Sequence, residues 1–144
     1  MMQKTLQLSQ ETIKKHRSWH LIDASSATLG RIASKAAYIL IGKHTTYFSP
    51  HADCGDFVIV VNAGKLKVTG RKMVQKQYFK HSGYPSGAKL VPFKRLFEEK
   101  PERIIELAVK RMLPSNKLKK RMLTRLKIYK GENHPHAAQN PKSI

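Results

Sequence analysis

Six consecutive residues, Phe57–Asn62, constrain the fold of this chain more than any other feature. They read Phe-Val-Ile-Val-Val-Asn, with Gly55-Asp56 before them and Gly64 shortly after. A strand with one wet face alternates apolar and polar residues. A near-continuous Val and Ile run of strand length belongs to a strand buried on both faces, as in a parallel sheet. Upstream, Trp19–Asp23 has the Trp, Leu and Ile of a short strand, with Asp23 opening a turn. Between the two, Leu29, Ile32, Ala33, Ala36, Ile39 and Leu40 largely follow the i, i+3, i+4, i+7 pattern, which predicts a helix over Leu29–Ile41 ended by Gly42. Arg31, Lys35 and Lys43 lie off that stripe. A strand, a helix and a buried strand in succession predict a βαβ unit with its right-handed crossover, and so an α/β fold.

The second half continues in helices. Val91–Lys100 carries Phe93, Leu96 and Phe97 at helical spacing, and Pro101 followed by Glu102 and Arg103 marks a fresh helix start. Ile104, Ile105, Ala108, Val109 and Met112 form an amphipathic stripe closed by Leu113-Pro114. Ser115 is placed to cap a third helix whose apolar pair is Leu118 and Met122. Leu126–Tyr129 alternates as a last strand, and from Gly131 onward Pro135, Pro141 and polar residues predict an irregular tail. A length of 144 residues, 40% of them hydrophobic, suits one core of ordinary size. The division is then a basic extension over 1–18, one α/β domain over 19–130 and a tail over 131–144.

Charge narrows the partner. Lys and Arg number 28 against 9 Asp and Glu, a net of +19, and residues 65–144 carry 16 of those charges. Such a surplus strains a compact chain by self-repulsion unless a polyanion neutralises it. The single Cys54 excludes an internal disulfide and fits a reducing compartment. No apolar run approaches the roughly 20 residues of a membrane helix. The opening segment has Lys4, Lys14, Lys15 and Arg17 but lacks the apolar core of a secretory signal. It reads as an extension, Ile13–Arg17 especially, that orders only against a partner; an organellar transit peptide is the competing reading.

Two segments carry candidate binding chemistry. Lys110–Lys130 holds nine basic residues and no acidic one in 21 positions, a phosphate-contacting surface by charge alone. Lys76–Pro85 interleaves cations with Tyr78, Phe79 and Tyr84 ahead of a Gly/Pro turn, a composition suited to stacking on unpaired bases, although one of Tyr78 and Phe79 is expected in the core. Catalytic and metal readings find less. His51, Asp53, Cys54 and Asp56 cluster, and His134 and His136 could add ligands, but neither group has a zinc spacing with paired cysteines. Gly42-Lys43-His44-Thr45 fails as a phosphate loop, since the earlier Gly would have to stand at Ala37. Carboxylates are too few and scattered to propose a catalytic pair.

Read in order, the motifs resemble a known family. Leu29-Gly30-Arg31-Ile32-Ala33-Ser34, Gly42-Lys43, Ser49-Pro50-His51-Ala52-Asp53-Cys54-Gly55-Asp56, Val60-Val61-Asn62-Ala63, Thr69-Gly70, Lys80-His81-Ser82-Gly83-Tyr84-Pro85, Met112-Leu113-Pro114-Ser115-Asn116 and His134-Pro135-His136-Ala137-Ala138-Gln139 follow one another. Together, from about Trp19 to Pro141, they closely resemble the family of the thirteenth protein of the large ribosomal subunit, in its bacterial form. The resemblance implies a three-layer α/β/α single domain around a short parallel sheet. It implies a structural, non-catalytic constituent of the large subunit that binds 23S-type ribosomal RNA, touches neighbouring ribosomal proteins and supports early assembly. It implies no cofactor, metal, membrane or small-molecule substrate, and the cytoplasm rather than an organelle.

Carried over by position, the RNA contacts implied are Arg31 and Lys35; Lys43, His44 and His51 within Lys43–His51; Arg71 and Lys72; Lys80, His81, Ser82 and Tyr84; Lys117, Lys119, Lys120 and Arg121; and His134 and His136 in the tail. The family commonly has Gly where this chain has Ser86, Arg111 and Lys119, which favours helix and adds charge at the last two. An RNA-modifying enzyme would need a cofactor cleft with a glycine-rich or knotted strand end, which is not found. A DNA-compacting protein would bind duplexes in proportion to charge.

Overall fold

The computed structural model describes residues 9–144, so the first eight residues of the basic extension lie outside the described residues. The chain runs through α1 (Gln10–Lys15), β1 (Trp19–Asp23), α2 (Leu29–Ile41) and β2 (Phe57–Val61). Then come α3 (Lys72–Gln75), β3 (Gln77–His81), β4 (Ala88–Pro92), α4 (Phe93–Glu99), α5 (Pro101–Met112), α6 (Leu118–Thr124), β5 (Leu126–Ile128) and β6 (Lys142–Ser143). Among the described residues no helix is long and apolar enough to cross a membrane.

The Val/Ile run does form the inner strand of a parallel sheet. The order is β5-β2-β1-β6, with β1 paired to β2 from Trp19↔Phe57 to Asp23↔Val61, and Val58, Ile59 and Val60 are fully buried. Period-2 alternation puts Ile22, Val58 and Val60 on one face, where they join Leu29, Ile32, Ala36 and Leu40 of α2 and Ile104, Ile105 and Val109 of α5 in the core. The opposite face carries Trp19 stacked on Phe57 at 4.2 Å, with His136 of the C-terminal segment 5.0 Å from Trp19. A helix of 13 residues is marginal alone in water, so burial of this stripe, not propensity, stabilises α2. The α/β single domain expected from the strand-helix-strand succession is the fold observed.

Gly42 ends α2 in the left-handed region at φ 88°, and its position is doubly constrained. A Cβ there would sit 2.7 Å from the Cys54 backbone, and one on Gly55 would overlap the Leu40 carbonyl oxygen. The returning chain therefore packs backbone against backbone on the end of α2.

Several local expectations are corrected. Ile13 is only 2% exposed in α1, and Arg17 bonds Asp53, so Ile13–Arg17 orders on the domain itself and needs no partner. Val91 and Pro92 belong to β4, and α4 starts at Phe93, because a residue before proline is pushed out of the helical region. Asn116, not Ser115, caps α6: its Oδ1 accepts from the Lys119 N–H at 3.1 Å. The tail contains a short turn at Ala137–Gln139 and then returns to the sheet, where His20↔Lys142 and Leu21↔Ser143 pair β6 with β1. An antiparallel hairpin, β3 with β4, lies outside the main sheet and buries Tyr78 while leaving Phe79 65% exposed.

Candidate nucleic-acid interface

Two buried carboxylates tie the segment after α2 to α1's exit, β1 and the end of α6. Asp53 accepts two 2.6 Å bonds from the Arg125 guanidinium and a 3.0 Å bond from Arg17, and Arg125 also donates to the Leu40 carbonyl at 3.2 Å. Burial pushes the Asp53 carboxyl up, but Arg125 and Arg17 outweigh it and hold the group below its ordinary value. Asp56 Oδ2 lies 2.9 Å from Nε2 of both His20 and His44, while Oδ1 accepts from the Ser18 N–H at 3.2 Å. Burial again raises this carboxyl, and the His20, Ser18 and His44 hydrogen bonds bring it net below the usual range.

These contacts revise two sequence readings. Arg125 belongs to the basic block Lys110–Lys130, yet it is 4% exposed and points inward, so it is not part of a phosphate-contacting surface. Of the cluster His51, Asp53, Cys54 and Asp56, Asp56 alone enters a group that could hold a cation among the described residues. Its companions are His20 and His44, with all ligand atoms within 4.8 Å of one another. At hydrogen-bond distances, the group ties β1, the end of α2 and the start of β2 together. Cys54 is fully buried, its thiol donating to the Tyr47 carbonyl at 3.6 Å. His20 escaped the sequence reading, although alternation with the buried Ile22 would have pointed it inward.

The Lys and Arg that the resemblance implies as RNA contacts lie at the surface. Arg31, Lys35, Lys43, Arg71, Lys72, Lys80, Lys117, Lys120 and Arg121 are exposed and Lys119 half-buried, and among the described residues none of these ten has a carboxylate within 4.0 Å. Three of them, Lys43, Arg121 and Lys72, each line a separate groove beside residues distant in sequence. A groove of about 350 Å³ places Lys43, Phe48 and Pro50 against Pro114, Asn116 and Met122. A second, of about 430 Å³, joins Arg121 and Thr124 to Gln10 and Arg17. A third, of about 570 Å³, sets Lys72 beside the first turn of α2 and the end of α5. His81, Ser82 and Tyr84 are exposed at the tip of the β3–β4 hairpin, where the His81 Nδ1 accepts from the Gly83 N–H at 2.9 Å.

The histidines divide. His51 is exposed, whereas His44 is held by Asp56 with its side chain 27% exposed. His136 is tied to the Tyr129 hydroxyl at 2.8 Å and His134 accepts from the His136 N–H at 3.3 Å, so both are partly occupied in holding the tail.

The family model for ribosomal protein L13 matches residues 17–135. The chain belongs to that family. It is similar over nearly its whole length to the large ribosomal subunit protein uL13 of Symbiobacterium thermophilum, 50% identical over 143 residues covering 99% of each chain. The uL13 of Aquifex aeolicus is 52% identical over 141 residues, 98% of this chain and 96% of its own. That of Chloroflexus aggregans is 56% identical over 126 residues, 88% of each. Arg111 and Lys119 fall within α5 and α6, and Ser86 occupies a left-handed position at φ 60°.

Proposed function

We propose that this L13 family member is a structural constituent of the large ribosomal subunit that binds its ribosomal RNA and supports early assembly, without catalysing a reaction. The observation that carries the reading is a set of ten Lys and Arg side chains raised on separate loops and helices of one α/β core, with no carboxylate of the described residues within 4.0 Å. Cations on separate elements can engage phosphates of different RNA strands, so a rigid core can hold together helices that repel one another. Buried Asp53 and Asp56 supply that rigidity by locking the loops to the sheet. The contact residues are those anticipated above, from Arg31 and Lys35 on α2 to the tail histidines, with neighbouring large-subunit proteins as further partners in the cytoplasmic ribosome.

The test is sedimentation of the tagged chain from cell extract, at low salt and at about 0.5 M, where the Debye length falls below about 5 Å. Retention at one copy per large subunit through the high-salt gradient is expected. Release to the top, or comigration with DNA, refutes the reading. Replacing Lys117, Lys119, Lys120 and Arg121 together by Gln should weaken incorporation while leaving the urea-unfolding midpoint of the isolated protein within error. Unchanged incorporation would move the principal contacts to Lys43–His51 and Lys80–Pro85.

A further inference from the structure

The groove beneath α2 gathers cations that the sequence keeps apart. Lys72 and Lys76 reach it from α3 and the residue after it, and Arg111 from the last turn of α5, while Val68 and Met112 supply apolar wall. Lys76 and Arg111 approach the same buried ring: the Lys76 ammonium is 5.3 Å from the Tyr78 centroid and the Arg111 guanidinium 5.9 Å. Among the described residues no carboxylate lies within 4.0 Å of any of the three. Burial lowers the Lys76 pKa, and the neighbouring charges of Arg111 and Lys72 lower it further. Three unpaired like charges around one half-enclosed space raise the energy of the free protein, and an anion placed among them lowers it.

The space is about 570 Å³, within the roughly 300–1,000 Å³ of small-ligand clefts. It is too confined for a duplex and roomy enough for one nucleotide. We propose that this groove seats a single unpaired nucleotide of the large-subunit ribosomal RNA, its phosphate between Lys72, Lys76 and Arg111 and its sugar and base against Val68 and Met112. Unpaired RNA is the form that can insert a nucleotide into a pocket, whereas a paired strand presents phosphates only along its outside. Arg111 offers the phosphate a guanidinium fork. The inference rests on the RNA-binding reading above and adds a defined pocket to it.

The experiment places a photoreactive benzoyl-phenylalanine at Met112, which is 44% exposed, in the full-length chain. Large subunits purified at high salt are irradiated, and the unmodified chain is acylated at lysines, free and in subunits. A crosslink to one ribosomal RNA nucleotide, with loss of Lys72 and Lys76 acylation in the subunit and a weaker crosslink in the Arg111→Gln variant, is expected. A chain that sediments with the subunit yet crosslinks to protein or to nothing, with both amines still reactive, overturns the nucleotide seat and leaves the ribosomal reading intact. A chain absent from the subunit overturns the ribosomal reading itself.

Discussion

Arg125→Met tests how the domain holds the segment between α2 and β2. The side chain is 4% exposed, and its guanidinium makes two 2.6 Å bonds to Asp53 and one of 3.2 Å to Leu40. Methionine keeps most of the apolar stem, so the loss is electrostatic and not a cavity. Three bonds at about 1.5–3 kcal/mol each would sum well beyond what a single removal delivers, because Arg17 remains 3.0 Å from the same carboxylate and retains part of the compensation. Breaking a buried pair costs about 3–5 kcal/mol, and with Arg17 in place the expected loss is about 3 kcal/mol. Urea unfolding of the isolated protein at pH 7 measures it, as a lowered midpoint at unchanged slope. Adding Asp53→Asn should recover about 1–2 kcal/mol, since the stranded charge disappears. The difference between wild type and Arg125→Met should also depend on pH. Asp53 is depressed in the folded state, so its contribution is fully present above the ordinary carboxyl value of 3.8 and fades as pH falls through the folded value. A loss under about 1 kcal/mol at pH 7, or a double variant no better than the single, would refute the argument.

Other sites give sharper local tests. Gly55→Ala should destabilise by about 1–3 kcal/mol or prevent folding, since its Cβ overlaps the Leu40 carbonyl; a melting temperature unchanged within a degree would contradict that geometry. Ile13→Ala should lower stability by about 2 kcal/mol and speed proteolysis ahead of Trp19, because Ile13 is 2% exposed. Equal cleavage rates would mean α1 does not dock in solution. Asp56→Asn should cost about 1–3 kcal/mol at neutral pH, and the cost should shrink in acid, the carboxylate being held below its usual value by its hydrogen bonds. A pH-independent loss between pH 7 and 3 would sink this reading. Ser86→Gly should stabilise by about 0.5–1 kcal/mol, the left-handed strain of about 1–2 kcal/mol exceeding glycine's entropic penalty, and a lower unfolding midpoint would contradict it.

Much of the core could be read directly from residue order. The βαβ unit followed from Phe57–Asn62 and the stripe of Leu29–Ile41, and Gly42 stood where a helix must stop. These are signals of period and backbone, carried by neighbouring residues. The hairpin was less legible. Lys76–Pro85 showed only its cations, aromatics and Gly/Pro turn, because strand β3 buries only Tyr78 and so has no apolar alternation to detect. The same holds for β6, two exposed residues whose pairing depends on where the tail returns.

Composition by itself determined that the chain needs a polyanionic partner, because net charge is a sum and needs no coordinates. Motif order carried the family resemblance for a similar reason. Which cations face the solvent was decided by tertiary structure alone. Arg125 turns inward because Asp53, 72 positions away, leaves a buried carboxylate to satisfy, while Lys117, Lys120 and Arg121 nearby have none and stay exposed. Lys72, Lys76 and Arg111 share a groove because α4 packs against both α3 and α5. Whether a charge is paired depends on long-range neighbours, and those exist only once the sheet has closed.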